Sequence, residues 1–287
     1  VNTTDTNPAL NPAGTTDMTA DSTSGNAGGA TAPPRLEVTA LSKTYGSGAN
    51  AKCVIEDLTF TVNTGEVVCI VGPSGVGKTT LLKCLAGLQP ATSGTAAIDG
   101  RTIAGPPPEM ALVFQDYSRS LMPWLTVRKN VRLPLRHLHL PTQEMNQRID
   151  TALEAVGLAH AANQYPWQLS GGMQQRVAIA RALAYRPEIL IMDEPFASVD
   201  AQTRFELEDL CLKIREDFGM TILVVTHDID EAVYLSDRVV VLGSKPARVL
   251  DVIGIDLPAP RDQISTRSLP EFAEQRTTVL SMIRKPA

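Results

Sequence analysis

The stretch that most constrains this chain is VVCIVGPSGVGKTTLLKCLAGL, residues 67–88. Residues 66–71 are an apolar run that reads as a buried strand, and 79–88 carry a helical pattern. Between them lie Gly72, Pro73, Ser74, Gly75, Val76, Gly77, Lys78 and Thr79, followed by Thr80 at the start of the helix. This is the G-x-x-x-x-G-K-[ST] spacing in the strand-to-helix setting that gives it meaning. The glycines let the backbone close into a nest of N–H donors, and the helix N-terminus adds positive potential, so the loop suits a phosphate. Lys78 can reach outer phosphate oxygens, and the Thr79 hydroxyl can ligate Mg²⁺.

The same grammar continues from Leu36 onward. Apolar runs at 66–71, 189–192, 221–225 and 238–242 alternate with helical patterns at 79–88, 175–184 and 204–218. That order predicts an α/β fold with a mainly parallel sheet covered on both faces. No internal repeat is visible, so one catalytic unit per chain is expected. Residues 1–34 are mostly Thr, Ala, Gly, Asn, Ser and Pro, without an aromatic residue, and read as a disordered N-terminal extension. A basic region followed by an apolar one, as in a signal peptide, is missing there. After Pro258, LPAPRD reads as a linker, and LPEFAEQRTTVLSMIRK as one amphipathic helix with Pro270 in its first turn.

Composition narrows the classes. A formal net charge of -5 over 287 residues argues against a nonspecific nucleic-acid binder. No run approaches the roughly 18 apolar residues that span a bilayer. The four cysteines, Cys53, Cys69, Cys84 and Cys211, lack metal-like spacing and read as small buried hydrophobes in a reducing cytoplasm.

Three further motifs carry chemistry. ILIMDEP places Asp193 and Glu194 at the carboxyl end of a buried strand, where α/β sheets bind ligands. Asp193 would hold Mg²⁺ through its hydration shell, and Glu194 would orient and deprotonate an attacking water; an exposed corner is the plainer reading. LVVTHDIDEA ends a strand at His227, and Asp228 caps the next helix. His227 lies at the same sheet edge, in place to contact a γ-phosphate; a structural histidine is the alternative. LSGGMQQR, residues 169–176, is a second helix-terminus anion site, with Ser170 as cap and the N–H groups of Gly171 and Gly172 exposed.

GPSGVGKTT, VFQD, LSGGMQQR, ILIMDEP, ASVD and TH, in this order, resemble the ATP-binding cassette (ABC) ATPases over roughly residues 35–250. The resemblance implies a P-loop NTPase fold, an ABC-type nucleotide-binding domain with a helical subdomain inserted at about 116–170. Residues 251–287 are then a C-terminal linker and helix. It implies that Tyr45 stacks on adenine, where a core tyrosine is the competing reading. It implies that Gln115 senses Mg²⁺ and the γ-phosphate and relays motion to a membrane partner. Ser170, Gly171 and Gly172 would close over the nucleotide of another subunit, giving a head-to-tail pair with two ATPs sandwiched between the subunits. Asp200 would lie across that interface. One departure is Val199, where many relatives carry Leu.

Such a clamp needs a separate integral membrane permease. The stretch MPWLTVRKNV, with IDLPAPRD and LPEF, is similar to the importers of nitrate, sulfonates and taurine. In that group Trp124 and Leu125 would line a groove for a permease helix; packing inside the helical subdomain is the alternative. The implied set is two copies of this chain or a paired cassette, two permease subunits and an extracytoplasmic substrate-binding protein, at the cytoplasmic face of the membrane. A lipid or lipoprotein exporter ATPase and a soluble ABC-type ATPase remain the competing classes. No residue here encodes the cargo.

Overall fold

The computed structural model describes residues 33–243 and 245–284. The extension predicted to be disordered falls almost wholly outside the described residues. The chain begins with β1 (Leu36–Tyr45), β2 (Lys52–Val62) and β3 (Val67–Val71), which leads into α1 (Lys78–Leu85). Then come β4 (Ser93–Ile98), β5 (Arg101–Thr102) and β6 (Met110–Val113). Helices follow: α2 (Tyr117–Ser120), α3 (Val127–Arg132), α4 (Thr142–Ala155) and α5 (Gly171–Tyr185). The second half alternates as β7 (Ile189–Asp193), α6 (Ala201–Phe218), β8 (Thr221–Thr226), α7 (Ile229–Leu235) and β9 (Arg238–Gly243). It closes with β10 (Arg248–Gly254) and α8 (Pro270–Arg284).

The central sheet has the order β10-β9-β3-β8-β7-β6, parallel except for the antiparallel edge strand β10. Strands β3, β7 and β8 are buried at every position, as expected where both faces are covered. Side chains alternate across the sheet. Val67, Cys69 and Val71 join the core formed with α5, α6, α7 and α8, while Val68 and Ile70 join the core under α1.

The second face is also covered, though not by helices alone. Beside α1 it is covered by a four-stranded antiparallel sheet of order β2-β1-β4-β5, packed through Leu36, Val38, Leu58, Phe60 and Ile98. These strands expose one face, so their apolar residues are interleaved with polar ones, and register shifts in β1 interrupt even that alternation. No continuous apolar run marks them. The cysteine reading also needs correction: Cys69, Cys84 and Cys211 are buried, but Cys53 is exposed on β2.

Between β6 and β7 the chain is helical. Asn130, fully buried on α3, accepts from Met122 N–H at 2.8 Å and donates to the carbonyls of Met122, Leu125 and Thr126 at 3.0–3.1 Å. One amide thus ties down the loop and leaves Trp124 outside, 71% exposed, so the reading that buried Trp124 within the helices is not met. No helix among the described residues is long and apolar enough to cross a membrane.

The chain leaves the sheet after Gly254 and returns to α6 and α7 through Arg267. Its guanidinium lies 5.0 Å from the Phe205 ring, 4.9 Å from Tyr234 and 5.8 Å from Phe272, and donates to Glu208 Oε2 at 2.6 Å. Glu208 is fully buried; burial pushes its pKa up and Arg267 opposes the rise. A buried carboxylate stripped of its cation is strongly destabilising. Arg267→Ala is therefore expected to lower unfolding stability by about 3 kcal/mol, and Glu208→Gln in the same chain to restore part of the loss. Denaturant unfolding of wild type and the two variants checks this; equal stability of wild type and Arg267→Ala would refute it.

Candidate active site

The phosphate-loop sequence forms the turn between β3 and α1. Gly75 and Gly77 have φ of 71° and 128°, conformations that side chains disfavour. Gly72 sits where a Cβ would come within 2.8 Å of the Leu242 carbonyl oxygen on β9. Lys78 opens α1 and is only 6% exposed. Its ammonium donates to the carbonyls of Gly72 at 2.9 Å and Pro73 at 3.3 Å, and lies 3.9 Å from Glu194 Oε1. Burial lowers its pKa, while the charges of Glu194 and Asp193 work against that fall.

The carboxyl ends of the neighbouring strands bring the acids to this loop. Asp193, the last residue of β7, is 5% exposed; burial raises its pKa, and a hydrogen bond from Thr79 opposes the rise. Glu194 follows at φ 43°, and its N–H donates to the Val225 carbonyl of β8 at 2.8 Å. Such a φ is costly for a non-glycine residue and is held here by the adjoining strand. The Glu194 carboxylate accepts from Gln115 Nε2 at 3.0 Å and lies 3.3 Å from His227 Nδ1. Lys78, Thr79, Asp193, Glu194, Gln115 and His227, drawn from four places in the sequence, form one cluster. Beside it opens a cleft of about 340 Å³ lined by Lys52, Cys53 and Val54 of β2, residues 75–80, Glu194 and Lys245.

The remaining anticipated residues lie elsewhere. Tyr45 ends β1, paired across the strands with Lys52; its hydroxyl donates to Gln89 at 2.7 Å and the Lys43 ammonium lies 5.2 Å from its ring. It is half-exposed beside the cleft and is not one of its walls. Ser170 caps α5, its hydroxyl accepting from Met173 N–H at 3.3 Å. Gly171 is exposed, but Gly172 is buried against α6, where a Cβ would overlap Thr203 Cγ2. The missing side chain of Gly172 thus also serves helix packing. Thr203 also donates to Asp200, through its N–H at 3.0 Å and its hydroxyl at 2.7 Å. Those bonds hold the Asp200 carboxyl below the usual range. Ser170 to Gly172 and Asp200 are thus joined through Thr203, and none of them lines the cleft of Lys78.

Glu231 escaped the sequence reading, hidden in the acidic first turn of α7. It is 4% exposed and accepts from the Thr226 hydroxyl at 2.6 Å, while Thr226 accepts from Asp228 N–H at 3.0 Å. Arg204 reaches Asp228 at 3.2 Å and Glu231 at 3.7 Å. Together they brace the backbone on both sides of His227, around a cavity of about 50 Å³ that also touches Glu194. Burial pushes the Glu231 carboxyl up from 4.5 to about 7, helped by Asp228 and Glu208 and opposed by Thr226 and Arg204.

The folded protein therefore holds this proton where the unfolded chain has lost it. Below 4.5 both states are protonated and Glu231 costs nothing; as pH rises towards about 7 stability falls. Glu231→Gln is expected to remove that slope, so its melting temperature gains on wild type between about pH 5 and pH 8. Parallel pH dependences would count against the buried acid.

A sequence model described as "ABC transporter" matches residues 55–197. The uncharacterized ABC transporter ATP-binding protein MJ0412 of Methanocaldococcus jannaschii is 45% identical over 87% of this chain and 91% of its own length. The nitrate import ATP-binding protein NrtD of Synechococcus elongatus is 43% identical over 86% and 91%, respectively. The aliphatic sulfonates import ATP-binding protein SsuB of Bacillus licheniformis is 43% identical over 85% and 92%. Among solved structures, the dimeric post-hydrolysis cassette MJ0796 bound to ADP and Pi superposes with a TM-score of 0.67 at 33% identity, over 77% of this chain and 99% of that one. CbiO1 of Clostridium perfringens gives 0.72 at 29%, over 88% and 96%. With the phosphate loop, the two acids and the capped α5 helix in place, the chain belongs to the ABC transporter ATP-binding family.

Proposed function

We propose that this chain is the ATP-hydrolysing, energy-coupling subunit of an importer for a small anion such as nitrate, a sulfonate or taurine. The observation that carries the hydrolytic reading is Glu194, held in a strained turn with its carboxylate between Lys78, Gln115 and His227. The residues suit ATP with Mg²⁺. The Lys78 ammonium is satisfied by loop carbonyls, contacts that phosphate oxygens can replace. Thr79, Asp193 and Gln115 offer the oxygen donors a hard cation prefers and would hold the metal directly or through water. Bound there, Mg²⁺ neutralises charge on the phosphates.

Glu194 accepts a proton from the water that attacks the γ-phosphorus, and ADP departs with the bridging oxygen. Lys78 balances charge on the phosphates, and His227 steadies the base and the γ-phosphate. Gln115 couples this centre to the surface carrying Trp124. Because Ser170, Gly171, Gly172 and Asp200 do not line their own cleft, they serve the nucleotide of a second copy, in a head-to-tail homodimer or with a paired cassette. The dimeric relative supports that arrangement. Tyr45 supplies an aromatic face for adenine from beside Lys52.

The relatives named for nitrate and sulfonate import support the branch. Two permease subunits receive the pair at the cytoplasmic face of the membrane, one contact being the exposed Trp124, and an extracytoplasmic binding protein selects the anion; nucleic acid has no part. Residues 35–250 form the ATPase domain, with its helical subdomain at about 116–170, a dispensable extension before it and a linker and helix after it.

Glu194→Gln should lower ATP turnover by about 100-fold or more while nucleotide binding survives and the dimer becomes stable. Turnover at the wild-type rate would remove Glu194 as the base. Ser170→Arg should abolish cooperative hydrolysis yet leave binding of a fluorescent ATP analogue intact; unchanged cooperativity would overturn the shared-site arrangement.

A further inference from the structure

The geometry points to Lys245, on the loop between β9 and β10, as a second cationic contact for the polyphosphate, standing outside the phosphate loop opposite the buried Lys78. This rests on the reading that the cleft takes ATP.

Position comes first. Lys245 lines the same cleft as residues 75–80, and its ammonium lies 3.6 Å from the point that a Cβ on Gly75 would occupy. It therefore stands over the exposed side of the loop whose N–H groups form the phosphate nest.

The loop that carries it is anchored on both walls of the cleft. Ahead of Lys245, the Leu242 carbonyl packs against Gly72 so closely that only glycine fits. Beyond it, Ala247 is fully buried; its N–H donates to the Val54 carbonyl at 2.8 Å and its carbonyl accepts from Glu56 N–H at 2.9 Å. Arg248 then pairs with Glu56 at 2.9 Å. Lys245 is thus held beside the phosphate loop by backbone contacts at either end, which lowers the loop-ordering cost when it engages a ligand.

Charge supplies the third argument. The cleft is lined by Lys52, Lys78 and Lys245 against a single carboxylate, Glu194. Among the described residues no ion pair involves Lys52 or Lys245, so no carboxylate within 4.0 Å offsets either charge. Unpaired cations converging on one concave surface focus positive potential where a polyanion binds. The contact answers to phosphate charge and not to the base.

Cys53 provides the assay. It is the exposed cysteine of the cleft wall, the other three being buried, so its alkylation by a maleimide reports occupancy without turnover. In the full chain, Lys245→Ala should raise the ATP concentration that half-protects Cys53 by about three- to ten-fold, and Lys245→Arg should stay near wild type. The gap should close as salt rises from about 0.05 to 0.5 M, since a screened charge contact weakens where a packing contact does not. The melting temperature without nucleotide should not change. Equal half-protection in wild type and Lys245→Ala, or a gap indifferent to salt, would overturn the assignment. If ATP failed to protect Cys53 even in the wild type while Lys78→Ala was equally reactive, the ATP reading itself would fall, and this inference with it.

Discussion

The rest of the site depends on one constraint: the positive charge of Lys78 is buried at the start of α1, beneath the loop that leaves a buried strand. A lysine rarely accepts such a place without partners. Here the loop's own carbonyls supply them, and Asp193 and Glu194 approach from the end of β7, the next strand but one. The glycines at 75 and 77 are needed because the backbone must curl back over the ammonium at positive φ. The parallel sheet is needed because it delivers β3, β6, β7 and β8 to one edge, carboxyl ends together.

Around that charge the acids divide their roles by environment. Asp193 is buried beside Thr79, whereas Glu194 is turned out by its strained backbone to meet Gln115 and His227. Behind them, Glu231, Thr226, Asp228 and Arg204 form a buried polar brace for the His227 turn. Arg204 lies on α6, the helix that Asp200 caps, so the brace connects the hydrolytic edge to the Asp200 turn. Through Thr203 that turn meets Gly172 and the start of α5. These three places are therefore joined by direct contacts.

Much of this was legible from the residues, unevenly. Strands β3, β7, β8 and β9 announced themselves as unbroken apolar runs because burial on both faces removes the need for polar alternation. Asp193, Glu194, Lys78 and His227 were readable because each sits at a fixed offset from the end of such a run. The antiparallel sheet was not, since β1 and β2 bury one face and β1 is bulged. Cys53 looked like its buried counterparts because a cysteine carries no local mark of which strand face it will occupy. Glu231 passed as an ordinary acidic residue at a helix start, and only the packing of α6 against α7 makes it a buried acid.

The sequence by itself determined the phosphate loop, the acids at the strand ends and the helix caps, because these are local: neighbouring residues dictate a turn, a cap or a buried run. Tertiary structure alone decided which side chains meet. Gln115 and His227 reach Glu194, Lys245 stands over Gly75, and Ser170 lies apart from the cleft of its own Lys78, through the order in which strands pair and the faces helices bury. Those distances depend on contacts between residues far apart in the chain, and no local pattern records them.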